Sequence, residues 1–136
     1  MEKLIIQIGA SADHFGGFAT NVDGITGAGS TVEECKANIF EGLKLMIKYS
    51  EKSYCKAPQW LVDGEYEIEY RYDVQSILQH YANVFTKPAL EKLTGINQKQ
   101  LHHYATGLKK PRQEQRKKIE AALHKLGNEL LTVQLQ

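Results

Sequence analysis

The sequence predicts an α+β fold: a small, mostly antiparallel sheet carrying one helix, then an all-α second half that ends in a short strand. Three observations lead there. Strict alternation in "EYEIEYRY" (65–72) has the period of a strand. Apolar residues at 32–47 and again from 74 to 130 recur at helical spacing. Glycine-rich turn chemistry is concentrated before residue 30. The chain of 136 residues fits one ordinary domain or two very small ones, and its 42% hydrophobic content suffices for a packed core.

In the first half, "KLIIQIG" (3–9) is a compact apolar run, read as a buried strand. "HFGGFAT" (14–20) is a second strand, in which Gly16 and Gly17 mark a bulge or a close backbone approach. "VDGITGAG" is turn chemistry around a short third strand near Ile25. Thr31 and Glu34 have the spacing of a capping box, in which the hydroxyl accepts from an early helix N–H while the carboxylate reaches back. After it Val32, Cys35, Ile39, Leu43, Met46 and Ile47 line one face of a helix over 32–49. A loop with Pro58 and Trp60 follows. The strand over 65–72 then sets Tyr66, Ile68, Tyr70 and Tyr72 on a buried face and Glu65, Glu67, Glu69 and Arg71 on a wet one. The order is strand, strand, strand, helix, strand, closing a first domain over residues 1–72.

Residues 73–136 are expected to form the second domain. Val74, Ile77, Leu78, Tyr81, Ala82 and Phe85 predict its first helix. "KPALEKLTG" is a short second one, with Pro88 in the first turn and Gly95 as the left-handed residue that ends it. Asn97 caps a third over 98–106, closed by Gly107. Two short helices joined by a glycine-containing turn make the helix-turn-helix pattern. Leu101, Tyr104 and Ala105 share the inner side of its second helix, while Lys99, His102, His103 and Thr106 fall outside. Gln98 and Gln100 are amides suited to adenine edges, and Lys99 reaches guanine. Lys109, Lys110 and Arg112 follow, where phosphates would be held. DNA binding is therefore expected at Asn97, Gln98, Lys99, Gln100, His102, His103, Thr106, Lys109, Lys110 and Arg112. Ile119, Leu123, Leu126 and Leu130 predict a last helix, weakened near Gly127. "LTVQL" alternates Leu131, Val133 and Leu135 against Thr132 and Gln134. A terminal strand with no sheet of its own needs a partner, and a second copy across a two-fold axis is the simplest. A homodimer or higher oligomer is expected, joined through Leu131, Val133 and Leu135.

The net charge of +1 conceals a division: residues 1–73 hold seven Lys/Arg against twelve Asp/Glu, −5, and residues 74–136 hold ten against four, +6. An acidic module and a basic module imply different partners. No apolar run reaches the roughly 18 residues that span a bilayer, and "MEKLIIQIGASAD" lacks the shape of a signal peptide; a cytoplasmic protein with no membrane partner is expected. Cys35 and Cys55 make no metal motif and read as reduced thiols. Adjacent His102 and His103 point about 100° apart and do not chelate one ion. No metal, cofactor or enzymatic activity is expected: Asp13, Asp23, Glu33, Glu34, Asp63 and Asp73 fall mostly in turns or at a helix start, His14 has no partner at a diagnostic spacing, and "GITGAG" fits no phosphate loop.

Taken in this order, "GGFATNVDGITGAGSTVEECKANIFEGLKLMI" and "LTGINQKQLHHYATGLKKPRQEQRKKIEAALHKLGNELLTVQL" resemble the two halves of a HicB-type antitoxin. The resemblance covers nearly the whole chain. It implies a degenerate RNase-H-like first domain (βββαβ) without a catalytic set, which neutralises a HicA-type toxin, a small basic mRNA-cleaving ribonuclease. It implies a Cro/repressor-like second domain that binds operator DNA of its own operon. The family's Asp-Phe-Pro-Gly-like segment reads "ADHFGGF" here, with no proline. Two other readings stay open: a helix-turn-helix repressor whose first domain senses a small ligand, told apart by whether a small basic protein co-purifies, and a nuclease built on the first-half carboxylates, told apart by a metal-dependent cleavage assay.

Overall fold

The computed structural model describes residues 1–50 and 57–136. Cys55 lies outside them. The chain forms two compact units, Met1–His80 and Tyr81–Gln136.

The first unit holds β1 (Glu2–Ala10), β2 (Phe15–Ala19), β3 (Thr26–Gly29), α1 (Val32–Ser50), α2 (Gln59–Val62), β4 (Tyr66–Tyr72) and α3 (Val74–His80). The class is α+β, but the sheet is mixed. Its order is β3-β2-β1-β4, with β1–β2 and β2–β3 antiparallel and β4 parallel to β1, Leu4 opposite Ile68 and Ile8 opposite Tyr72. The antiparallel sheet expected from the sequence is corrected on this edge. Alternation reports which face of a strand is buried; the direction of pairing follows from the path through α1, which returns the chain beside β1 by a crossover.

Alternate residues of β1 (Leu4, Ile6, Ile8) meet Val32, Cys35, Ile39 and Leu43 of α1 in one buried core. Half of the expected capping box forms: Glu34 N–H donates to Thr31 Oγ1 at 3.0 Å, while the Glu34 carboxylate accepts from the Ser30 hydroxyl at 3.0 Å. Cys35 is buried, and that burial pushes its thiol pKa up. The register through Gly16 and Gly17 is regular, with no bulge. A Cβ on Gly17 would lie 2.7 Å from the Ile39 side chain, whereas one on Gly16 would meet nothing within 4 Å.

β3 approaches α1 more closely still. A Cβ on Gly27 would stand 2.6 Å from the Ile39 backbone nitrogen. Backbone cannot swing aside as a side-chain tip can, so Gly27→Ala is expected to cost about 1–3 kcal/mol, and Gly16→Ala to leave stability within about 0.5 kcal/mol of the parent. Urea unfolding of the two variants checks this; equal midpoints would remove the close β3–α1 contact as the reason for glycine.

Two pieces of this unit differ from expectation. Residues 59–62, read as loop, form α2, where Leu61 is fully buried and Trp60 meets Tyr66 edge-on at 5.9 Å. Four residues are too few to show a helical period. The helix expected over 74–85 stops at His80 and belongs to the first unit. Asp73 Oδ1 accepts from Ser76 N–H at 2.7 Å, and the fully buried Ser76 hydroxyl donates to Asp73 O at 2.8 Å and to Ile8 O at 3.3 Å. That last bond ties α3 to β1.

The second unit holds α4 (Lys87–Thr94), α5 (Gln98–Thr106) and α6 (Gln113–Leu131) around Leu90, Ile96, Leu101, Tyr104 and Ile119. α6 runs unbroken through Gly127, and the expected C-terminal strand is absent. Thr132 and Val133 N–H groups donate to the carbonyls of Glu129 and Leu130. Within a single chain the segment has no neighbouring strand to take its polar groups, so local helical bonds win. Leu131, Val133 and Leu135 are left 85%, 58% and 94% exposed. Among the described residues no helix is long and apolar enough to cross a membrane.

Candidate nucleic-acid interface

α4 and α5 are set by their ends. The Thr86 hydroxyl accepts from Ala89 N–H at 3.2 Å, with Pro88 in the first turn. Gly95 takes the left-handed conformation (φ 74°) that a side chain would strain, and its N–H donates to Glu91 O. Ile96, 5% exposed, anchors the turn in the core. Asn97 Oδ1 accepts from Lys99 N–H at 2.8 Å to start α5, and Gly107 (φ 81°) ends it. A second contact at this end was not legible in the sequence: the Glu91 carboxylate of α4 accepts from Gln98 N–H at 3.1 Å. It fixes α5 on α4 and places a negative charge at the helix start.

Leu101, Tyr104 and Ala105 are buried, and Lys99, His102 and Thr106 are exposed, as the 100° spacing predicts; His103 is partly buried. The ten residues named from the sequence have different local duties. Gln98, Lys99 and His102 stand exposed on or beside the outer face. Asn97 spends its oxygen on the cap. Gln100 is partly buried and donates to the Tyr104 hydroxyl at 2.9 Å. Thr106 donates to His103 O at 3.2 Å, and Lys109 N–H donates to the same carbonyl at 3.2 Å. Lys109, Lys110 and Arg112 follow α5 exposed, and Arg116, Lys117 and Lys118 continue exposed along α6. The unit carries ten Lys/Arg against four Asp/Glu, +6. Partial burial, then Lys109, Lys99 and His102, hold the His103 pKa below its ordinary value.

The arrangement offers an outward helix face with side chains able to pair with base edges, flanked by cations able to hold phosphates. No family model, no characterised protein and no solved structure matches this chain.

On the same unit an open groove of about 490 Å³ lies along α6, lined by Leu123, His124, Gly127, Asn128 and Leu131. Of the three residues expected to carry dimerisation, Leu131 lines this mainly apolar recess. A Cβ on Gly127 would meet nothing within 4 Å.

Four of the candidate first-unit carboxylates make local contacts: Glu34 accepts from the Ser30 hydroxyl at 3.0 Å, Asp73 from Ser76 N–H at 2.7 Å and Asp63 from Gln59 Nε2 at 2.9 Å, and Glu33 lies 3.8 Å from His80. Among the described residues no group of three His, Cys, Asp or Glu is placed to hold a metal ion. His14 does have neighbours that its sequence spacing did not reveal: Ser11 Oγ lies 2.7 Å from Nδ1 and 3.4 Å from Nε2, and Asp13 Oδ1 lies 2.8 Å from Nδ1. The short contacts of both crowd one ring nitrogen, whereas a serine nucleophile and an orienting carboxylate act from opposite ones, so this exposed trio serves as a loop clasp. The hydrogen bond from His14, then its charge, holds the Asp13 carboxyl below the usual range. The bond therefore contributes above the unfolded carboxylate pKa and is lost as pH falls through the folded one. In an NMR titration, His14→Ala should move the Asp13 transition up to the ordinary carboxylate range; an unmoved transition would show that the clasp does not form in solution.

Proposed function

We propose that this protein is a two-module antitoxin of the HicB type. The unit Tyr81–Gln136 binds operator DNA and represses its own operon; the acidic unit Met1–His80 binds and silences a small basic, mRNA-cleaving toxin of the HicA type, in the cytoplasm. The observation that supports it most is the pairing of α4 and α5 across Gly95, with Lys99 and His102 outward and Lys109, Lys110 and Arg112 beside them. The first unit's twelve acids against seven bases offer charge complementarity to an RNA-binding partner, which favours association rate and specificity. In this reading α4, the turn and α5 act as a helix-turn-helix, and residues 131–135 pair as a strand with a second copy to make the dimer that a two-fold operator requires.

The test uses the native operon. The chain is co-expressed with the adjacent reading frame, and toxicity, co-purification and binding to the upstream DNA are measured. The reading requires that the neighbour be a small basic protein that arrests growth alone, co-purifies with this chain and loses toxicity beside it. A harmless neighbour that does not co-purify, with upstream DNA still bound, would replace the antitoxin by a plain repressor; failure on both counts would end the proposal.

A further inference from the structure

His103 is built differently from the other polar residues on the outer side of α5. Lys99, His102 and Thr106 are exposed, whereas His103 is partly buried, and its Nδ1 lies buried with no hydrogen-bond partner among the described residues. The backbone around it is held hard: the His103 carbonyl accepts from both Thr106 Oγ1 and Lys109 N–H, each at 3.2 Å. The charged groups that bear on the ring are Lys99 and His102 of α5 and Lys109 from the turn after it. All three are cationic or become so on protonation, and none is a carboxylate. An imidazolium here would add a charge to a cationic cluster and leave a buried N–H without an acceptor, two costs that favour the neutral ring.

A phosphate changes the first of these. It neutralises the lysines that oppose protonation, and its field favours the imidazolium. We infer that His103 takes up a proton when a nucleic-acid phosphate docks against α5, so that duplex binding tightens as pH falls. The inference rests on the nucleic-acid reading proposed above and adds its regulation: the same protein holds DNA more firmly in an acidified cell. The sign follows from linkage. A group whose pKa is raised by the ligand makes binding tighter as pH drops from the bound-state pKa toward the free-state one, and flat beyond it.

The experiment uses the full chain and a short mixed-sequence DNA duplex at low salt. Affinity is measured between about pH 8 and about pH 6 for the parent and for His103→Gln, in parallel with the His103 ring titration by NMR with and without duplex. The parent should tighten by up to about tenfold per pH unit for each engaged head, His103→Gln should show a distinctly flatter profile, and the ring should titrate higher with duplex present. Equal pH profiles for two proteins that both bind, or a ring titration that duplex does not move, overturn the proton uptake and leave the DNA reading standing. No binding by the parent at any pH overturns both. The NMR measurement on the parent keeps the test decisive even where the variant folds poorly.

Discussion

Replacing Lys109, Lys110 and Arg112 together with alanine should weaken duplex binding by on the order of a thousandfold at moderate salt. These three exposed cations directly follow α5, and among the described residues their side chains hold no structural contact comparable to those of Asn97 or Gln100. Each phosphate that is no longer neutralised should make the log–log salt dependence shallower by about 0.9, hence roughly 5 for two heads. The weakening should be the same on operator and scrambled DNA, because phosphates carry no sequence. Lys99→Ala is the contrast: it should cost about 1–3 kcal/mol on operator and relax preference at one base per half-site. On the proposed antitoxin reading, neither change should affect toxin neutralisation, since all four residues lie in Tyr81–Gln136. Binding titrations over a salt series decide it. An unchanged slope in the triple variant would remove this surface as the phosphate-holding edge.

If the chain pairs through its tail and binds an operator as proposed, deleting residues 131–136 should give monomers and lower operator affinity by about 10²–10⁴, the advantage of tethering a second head. The removed side chains Leu131, Val133 and Leu135 are 85%, 58% and 94% exposed, while Leu101, Tyr104 and Ile119 of the unit's core are 0–3% exposed and untouched. The fold should therefore survive, which circular dichroism verifies before sedimentation gives the mass. A dimer that persists after deletion would exclude the tail as the interface. Gly127→Ala then reports the form of the contact. Glycine inside a helix costs about 1 kcal/mol relative to alanine, and a Cβ there meets nothing within the chain. Alanine should thus strengthen the continuous α6. If Leu131 must leave the end of α6 for residues 131–135 to pair as a strand, the same change should weaken the dimer; a dimer unaffected by it would associate with α6 intact.

The helices α1, α4 and α5 and their ends were legible because they depend on neighbours within a few positions. The spacing of Val32, Cys35, Ile39 and Leu43 predicted α1, Gly95 and Gly107 marked the two left-handed stops, and Asn97 was visible as the cap of α5. The same short-range geometry placed Lys99 and His102 outward and Leu101 and Tyr104 inward. What failed in the sequence needed a partner distant along the chain. The parallel pairing of β4 with β1, the Ser76 hydroxyl on Ile8 O, the burial of Leu61 in α2 and the Glu91 carboxylate on Gln98 N–H each join separate elements. The tail shows the same division from the other side. Leu131, Val133 and Leu135 alternate as a strand does, but alternation specifies only which side chains share a face. A strand exists where a second backbone takes its hydrogen bonds, and in the single chain the nearest acceptors are the carbonyls of Glu129 and Leu130.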